Sequence, residues 1–399
     1  MAQDKQRIST PLLMGLALLT ATPALSTDMY LPALPAIANE LDTTTPMVQL
    51  TLSAFMIGMA IGQLIIGPIS DSMGRKNLLL AGTLASLLAS IACAMAPGIG
   101  VLIAMRLVQG LGGGACVVIA RAIVPDLAKG KEAAQAFALL MIIQGAAPIL
   151  APVIGGVIAT PFGWRAVFWA LALINIAQVL VVIFGIRESR PPVERTGSGL
   201  RGMGQNYLFV LKNPQFLAYA LILAFTFGAM FSYISASPFV LQNQLGLSPV
   251  MYSVVFAVNA LGMMLCGMVN RRLLNRFDPH RIMSTALVSF TVLALVLLLE
   301  VAFIGSPVLL LVLLFMMIAH VPMIMANSVA LGTSVVRSRA GSGSAVMGFT
   351  QFAMGGLVSP LVGLGSDRAL TMSVAMVTCA VIACAAAWFA GRVGQSEMR

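Results

Sequence analysis

The 399-residue chain is 59% hydrophobic and 9% charged, with a mean hydropathy of +0.97. Soluble domains carry about 25% charged residues, so a soluble fold is excluded and a polytopic membrane protein is indicated. A formal charge of +10 would point to nucleic acid in a soluble protein, but here the basic residues fall in short connections between apolar runs, and no nucleic-acid partner is expected.

A membrane-crossing helix needs about 20 mostly apolar residues, and helices are the spanning form that such runs allow. Twelve runs qualify, at about 11–37, 47–69, 77–96, 101–120, 136–159, 166–186, 216–240, 250–270, 282–303, 307–332, 343–364 and 370–391. The first follows Lys5 and Arg7 and has the outline of a secretory leader. It continues to Ile37, however, and its removal would leave an odd set of spans, so it is expected to be retained. The five cysteines (Cys93, Cys116, Cys266, Cys379, Cys384) all lie within apolar runs, with no metal or redox spacing. Two histidines are too few for a histidine-rich metal site, and no metal or cofactor is expected.

With the N-terminus placed inside, 20 of the 23 Lys and Arg residues fall in cytoplasmic segments. That asymmetry predicts both termini in the cytoplasm. The longest connection, 187–215, is rich in Arg, Pro, Gly and Ser. It reads as a cytoplasmic linker between a half at 1–186 and a half at 216–399, with six spans each. The halves share short features: Pro35 to Pro46 repeats the proline spacing of Pro238 to Pro249, and Pro152-Val-Ile-Gly155 has a counterpart in Pro360-Leu-Val-Gly363. Such halves rock about a central site in alternating-access transporters.

Ser26-Thr27-Asp28-Met29-Tyr30-Leu31-Pro32 places one carboxylate in the first span with no basic residue near it in sequence. Its charged form costs about 3 kcal/mol or more at a bilayer centre, and a proton-binding site is the first hypothesis. Span four holds Arg106-Leu-Val-Gln109-Gly110, followed by Gly112, Gly113 and Gly114. An intramembrane arginine requires a cavity, acids or carbonyls; the alternative is snorkelling to the outer interface. At 1.5 Å per residue, Asp28 and Arg106 both fall in the outer half of the membrane. Their contact in one conformation and separation in the other would link proton affinity to state.

The connection after span two reads Gly67-Pro68-Ile69-Ser70-Asp71-Ser72-Met73-Gly74-Arg75-Lys76. Gly67 is expected to admit a close helix approach, and Gly74 to supply a positive φ. The segment resembles the signature loop of the major facilitator superfamily, departing from it at Ser72, where the family usually has Arg. Arg106 to Gly110 resembles the superfamily's Arg-x-x-Gln-Gly motif, associated with proton coupling. Span five, Gln144 to Gly156 with Pro148, Pro152, Gly155 and Gly156, is similar to the motif of drug-exporting antiporters, with Ala151 in place of its first glycine. Together with Asp28-Met29-Tyr30-Leu31-Pro32, these runs resemble the bicyclomycin/chloramphenicol-resistance subfamily of drug:proton antiporters over essentially the whole chain.

The resemblance implies an all-α fold of twelve transmembrane helices in two halves around a central cavity. It implies proton coupling through Asp28 and Arg106, and a conformational gate built on Gly67, Asp71, Gly74, Arg75, Arg121, Pro148, Pro152, Gly155 and Gly156. Asp71 and Arg121 either pair to lock one state or are solvated charges. By span position, the cavity would be lined by Tyr30, Gln49, Met56, Gln109, Tyr233, Asn259, Asn327, Met347 and Gln351. His320 is either a further titrating or substrate-contacting group or a neutral histidine bonded to a neighbouring carbonyl. Glu300 is expected at the outer interface. The function implied is export of small apolar or cationic drug-like compounds in exchange for protons, by a monomer in the inner (plasma) membrane. A proton-coupled transporter of a sugar, amino acid or other metabolite is the alternative. A membrane enzyme is disfavoured because no catalytic constellation appears, and ATP drive because the chain has no phosphate-loop motif.

Overall fold

The structure is a computed structural model describing residues 9–128, 130–189 and 199–397, and every regular element among them is helical. The first span is built from three pieces: α1 (Thr10–Thr20), α2 (Thr22–Asp28) and α3 (Leu34–Glu40), with a 3₁₀ turn at Leu31–Ala33. Proline explains the breaks. Pro23 has no N–H to give to the carbonyl of Leu19, and the Thr22 hydroxyl donates to that carbonyl instead, at 2.7 Å. Pro32 and Pro35 interrupt the ladder again just beyond Asp28. At the first of these breaks, Thr10–Thr20 and Thr22–Glu40 meet at 45°.

The remaining helices follow the apolar runs: α4 (Thr45–Met73), α5 (Lys76–Ala94), α6 (Ile99–Leu127), α7 (Gly130–Phe162) and α8 (Trp164–Leu180) precede the linker. After it come α9 (Gly199–Leu211), α10 (Pro214–Pro238), α11 (Pro249–Leu273), α12 (Pro279–Leu299), α13 (Pro307–Val335), α14 (Ala340–Leu361) and α15 (Arg368–Glu397). Ten helices among the described residues meet the length and hydropathy needed to cross a bilayer, and the bent first span makes an eleventh. The remaining run, 343–364, corresponds to α14, 22 residues long, whose Gly341, Gly343, Gly348, Gly355 and Gly356 lower its hydropathy while making it a packing helix. Large apolar side chains such as Leu88, Leu173, Phe184 and Phe303 point outward, as a lipid-facing surface requires.

Two helix crossings set the spacing inside the first group. A Cβ at Gly58 would stand 2.3 Å from the Leu107 carbonyl oxygen, and one at Gly110 would stand 2.1 Å from that of Phe55. With Gly62 and Gly114, these residues let α4 and α6 meet backbone to backbone. Gly67 plays no such part: its Cβ would make an ordinary 3.4 Å contact with Val118. The close approach belongs to the glycines one and two turns earlier, on the face turned to α6. Between the two groups of helices, α4 packs on α14 and α7 on α11.

The linker contains structure that its Arg, Pro, Gly and Ser content hid. In α9, Leu200, Met203, Tyr207 and Val210 recur at helical spacing, and Val210 is fully buried. Tyr207 donates its hydroxyl to the Leu64 carbonyl on α4 at 2.7 Å, and burial pushes its phenol above the usual value of 10. Arg339, after α13, bonds to Asn206 and lies over the Phe209 ring at 4.9 Å. The linker helix thus straps the two groups at the end of the bundle that carries most of the basic residues, called here the basic end.

Candidate transport site

The break in the first span brings Asp28 to a central cavity. Asp28 ends α2, is 6% exposed, and sits on the wall of a space with an empty volume of about 680 Å³. The other polar groups on that wall are Thr27, Tyr233 and Asn259; the rest includes Met56, Pro148, Phe227, Met230, Phe231, Phe256 and Met263. Most ligand pockets share this character, apolar with a few placed polar groups. The Asn259 amide donates to the Tyr233 hydroxyl at 2.7 Å, and the Tyr233 ring stacks on Phe256 at 5.8 Å between centroids. Asp28 has no hydrogen-bond or salt-bridge partner among the described residues, and the neighbouring Thr27 hydroxyl is also without a hydrogen-bond partner. The carboxylate is held in place by the fold rather than by a counter-charge.

In this conformation Arg106 does not meet Asp28. It is completely buried in α6, and Nη1 donates to the Ser26 carbonyl at 2.9 Å and to Gln109 Oε1 at 2.6 Å. Its guanidinium lies over Phe55 at 4.4 Å, Tyr30 at 4.9 Å and Phe168 at 5.9 Å. Nε and Nη2 have no hydrogen-bond partner. Snorkelling is thereby ruled out, because the group points into the bundle and is enclosed by aromatic faces, which attract cations. Gln109 continues the network to Ser90 at 2.7 Å, and Ser90 accepts from Asn175 at 2.8 Å. A polar string therefore crosses α6, α5 and α8 and ends on the backbone two residues before Asp28. Ser90 and Asn175 gave no sequence signal beyond being polar residues in apolar runs.

Several expected cavity residues are placed elsewhere. Tyr30 is fully buried under Arg106 and bonds to Thr51 at 2.6 Å. Gln109 is occupied in the network. Gln49 closes the end of the bundle opposite the basic end: its side-chain amide donates to the Ser235 carbonyl at 3.0 Å, and its backbone carbonyl accepts from Ser359 Oγ at 3.2 Å. Asn327 bonds Asn270 at 2.9 Å, between α13 and α11. His320 donates from Nδ1 to the Met316 carbonyl at 2.7 Å and meets Ser289 through Nε2 at 3.1 Å; of the two readings, the carbonyl-bonded histidine is the one the geometry supports. In each case the residue type was right for a polar lining, but the helix presents it to a neighbouring helix. Met347 and Gln351 line a second chamber toward the basic end, with Arg121, Gln144, Met59 and Gln63; it shares Pro23, Ala24 and Phe352 with the first. Glu300 lies at the end of α12, where the sequence placed it, but is 2% exposed, with Oε1 accepting the Ser306 N–H at 2.6 Å.

The expected gate residues fall at both ends. Gly74 has φ +101° and ends α4. Arg75 follows it and joins Asp126 on α6 at 3.1 Å, while Glu188 accepts the backbone N–H groups of Arg75 and Lys76 at 2.8 and 3.2 Å. Asp126 and Glu188 complete this basic-end clasp, although neither belongs to the motif. The Asp71 side chain lies outside the described residues; Arg121 bonds Gln144 at 3.3 Å. At the opposite end, Gly155 presses α7 onto the broken span: a Cβ there would stand 1.9 Å from the Met29 carbonyl oxygen. One at Gly156 would stand 2.5 Å from Ser253 Oγ of α11. Pro152 belongs to the same stretch of α7, and Pro148 reaches the cavity wall. Further links between the groups at this end run from Gln242 to the Pro32 carbonyl at 3.1 Å and from Arg368 to Thr45 at 3.4 Å. The cavity is closed here.

The family model described as Major Facilitator Superfamily matches residues 16–360. The chain belongs to the major facilitator superfamily. It is a membrane transporter rather than an enzyme, with an all-α fold of two helical groups around a central cavity. It is 34% identical over 399 residues to an uncharacterized MFS-type transporter, YdgK, of Bacillus subtilis, covering 98% of each chain. It is 29% identical to a bicyclomycin resistance protein homolog of Haemophilus influenzae, over 97% of each, and 31% identical to the multidrug resistance protein MdtL of Escherichia coli, over 70% of each. Among solved structures, a bacterial homolog of the human lysosomal transporter Spinster superposes with a TM-score of 0.76 at 17% identity, covering 96% of each chain. A D-xylose–proton symporter superposes with a TM-score of 0.69 at 13% identity, covering 95% of each. These two establish the fold.

Proposed function

We propose that this transporter exports small, largely apolar or cationic drug-like compounds in exchange for protons, as a monomer whose two six-span halves rock about the cavity. The observation that carries the reading is the unpartnered Asp28 carboxylate on an otherwise apolar, aromatic wall. A charge in such a place is costly unless it is neutralised. A bound proton and a cationic substrate are two ways to neutralise it, and at a single carboxylate one displaces the other. That displacement is exchange at one site. The resistance names of two relatives support a drug-like cargo, and the scarcity of polar groups on the wall argues against a sugar, whose hydroxyls would be left unpaired.

Arg106 takes a positioning role in this scheme. It fixes the turn that carries Asp28 through the Ser26 carbonyl and does not pair with the carboxylate, so rocking of the halves is felt at Asp28 through backbone placement. The distribution of basic residues supports placing the basic end in the cytoplasm.

The test is a resistance and efflux panel in a pump-deficient bacterial host, with and without a proton gradient, for wild type and Asp28→Asn. Proton-dependent efflux of at least one apolar compound is expected from wild type and is expected to vanish in Asp28→Asn. Gradient-stimulated uptake of a metabolite, with no drug effluxed, would replace the reading.

A further inference from the structure

On the outer surface, at the basic end, α12 and α15 enclose a groove with an empty volume of about 930 Å³ that is separate from the transport cavity. His280, Ser284, Leu287 and Val288 line one side; Cys384, Ala387, Trp388, Gly391 and Arg392 line the other. The mouth is cationic and the interior apolar. Arg392 lies over the Trp388 ring with its guanidinium carbon 3.7 Å from the centroid, which fixes the charge at the rim. His280 contributes an Nε2 that finds no hydrogen-bond partner, and Gly391 lies against the edge of its ring. Arg281 is exposed beside it. Asp278, a carboxylate beside the mouth, caps α12 by accepting the His280 N–H at 2.8 Å.

From the mouth the lining residues run along both helices in the same direction, from His280 to Val288 and from Arg392 to Cys384. Eight residues on each is about 12 Å of depth. A slot of that depth between two transmembrane helices, open past Val288 and Trp388 and with Arg392 at its mouth, matches one molecule in its surroundings. We infer that the groove binds an anionic phospholipid, with its phosphate at Arg392 and His280, its glycerol region against Trp388, and the first part of an acyl chain along Leu287, Val288, Ala387 and Cys384. Trp at the headgroup level and Arg at the rim are the anchors such a lipid requires.

The experiment is native mass spectrometry of the full-length protein in mild detergent, titrated with phosphatidylglycerol or phosphatidylcholine of identical acyl chains, and with glycerol phosphate as a headgroup-only competitor. Phosphatidylglycerol is expected to be retained about fivefold more than phosphatidylcholine, as one surface cation confers. That preference should vanish in Arg392→Gln and persist in Arg165→Gln at the opposite end. Trp388→Ala should weaken both lipids, and glycerol phosphate should fail to compete. Equal retention of the two lipids by wild type, an unchanged preference in Arg392→Gln, or full competition by glycerol phosphate would each overturn the assignment. Both substitutions sit on the lipid-facing surface, so circular dichroism of the purified variants serves as the folding control.

Discussion

Gly155 is where packing and mechanism meet most tightly, and Gly155→Ala tests both. Ordinary contact begins near 3.4 Å, while the new Cβ would stand 1.9 Å from the Met29 carbonyl oxygen, with the Met29 carbonyl carbon and Cα at 2.6 and 2.7 Å. All three are backbone atoms, so no rotamer change relieves the clash, and α7 must withdraw from the broken first span by roughly 1.5 Å. Overpacking of this kind costs about 1–3 kcal/mol or more, against a helix-propensity gain of about 1 kcal/mol for replacing glycine. Gly145 in the same helix supplies the control, because nothing lies within 4 Å of its would-be Cβ; Gly145→Ala is expected to be neutral or to stabilise. The propensity gain is common to both, so unfolding in mixed micelles should separate the two variants by about 1–3 kcal/mol. Because Met29 adjoins Asp28, transport by Gly155→Ala should also fall sharply at equal expression. If both variants match wild type in stability and transport, the crossing is not the rigid seat inferred for Asp28.

Arg106→Lys keeps the charge but loses the planar fork and the stacking on three rings. With each charge-assisted bond worth about 1.5–3 kcal/mol, efflux should drop at least tenfold at normal membrane levels, and wild-type rates would refute the positioning role. Gln49→Ala removes one bond, about 1 kcal/mol, from the closed end of the cavity. A cysteine introduced at Val48, in a background lacking the native cysteines, should then be labelled about fivefold faster. Tyr207→Phe should expose the linker to protease about fivefold more by the same arithmetic. The Tyr207 phenol is raised in the folded state, so the α9 contact it stabilises is fully present below the usual value of 10 and lost as pH climbs through the raised value. The wild-type linker should show an alkaline step in proteolysis that Tyr207→Phe lacks.

Composition and hydropathy determined the membrane-spanning helical architecture, because apolar run length and backbone satisfaction in lipid leave few alternatives. Motif residues with a backbone role were legible for the same reason. Gly74 has the positive φ expected of it, whereas nothing in the sequence marked Pro23, Pro32 and Pro35 as break points, since Pro148 and Pro152 sit inside the unbroken α7. Asp28 was legible because a carboxylate in an apolar run needs an explanation. What the sequence left open was facing. Met56, Tyr233 and Asn259 reach the cavity, whereas Gln49, Gln109, Asn327 and His320, equally polar or plausible by span, turn toward neighbouring helices. One-dimensional order does not record how a helix is rotated about its axis. Gly67 and Gly155 make the same point: only the crossing partner decides which glycine is indispensable. Tertiary structure also decided that Arg106 reaches Asp28 through the Ser26 carbonyl and three aromatic rings, since those contacts join residues far apart in the chain.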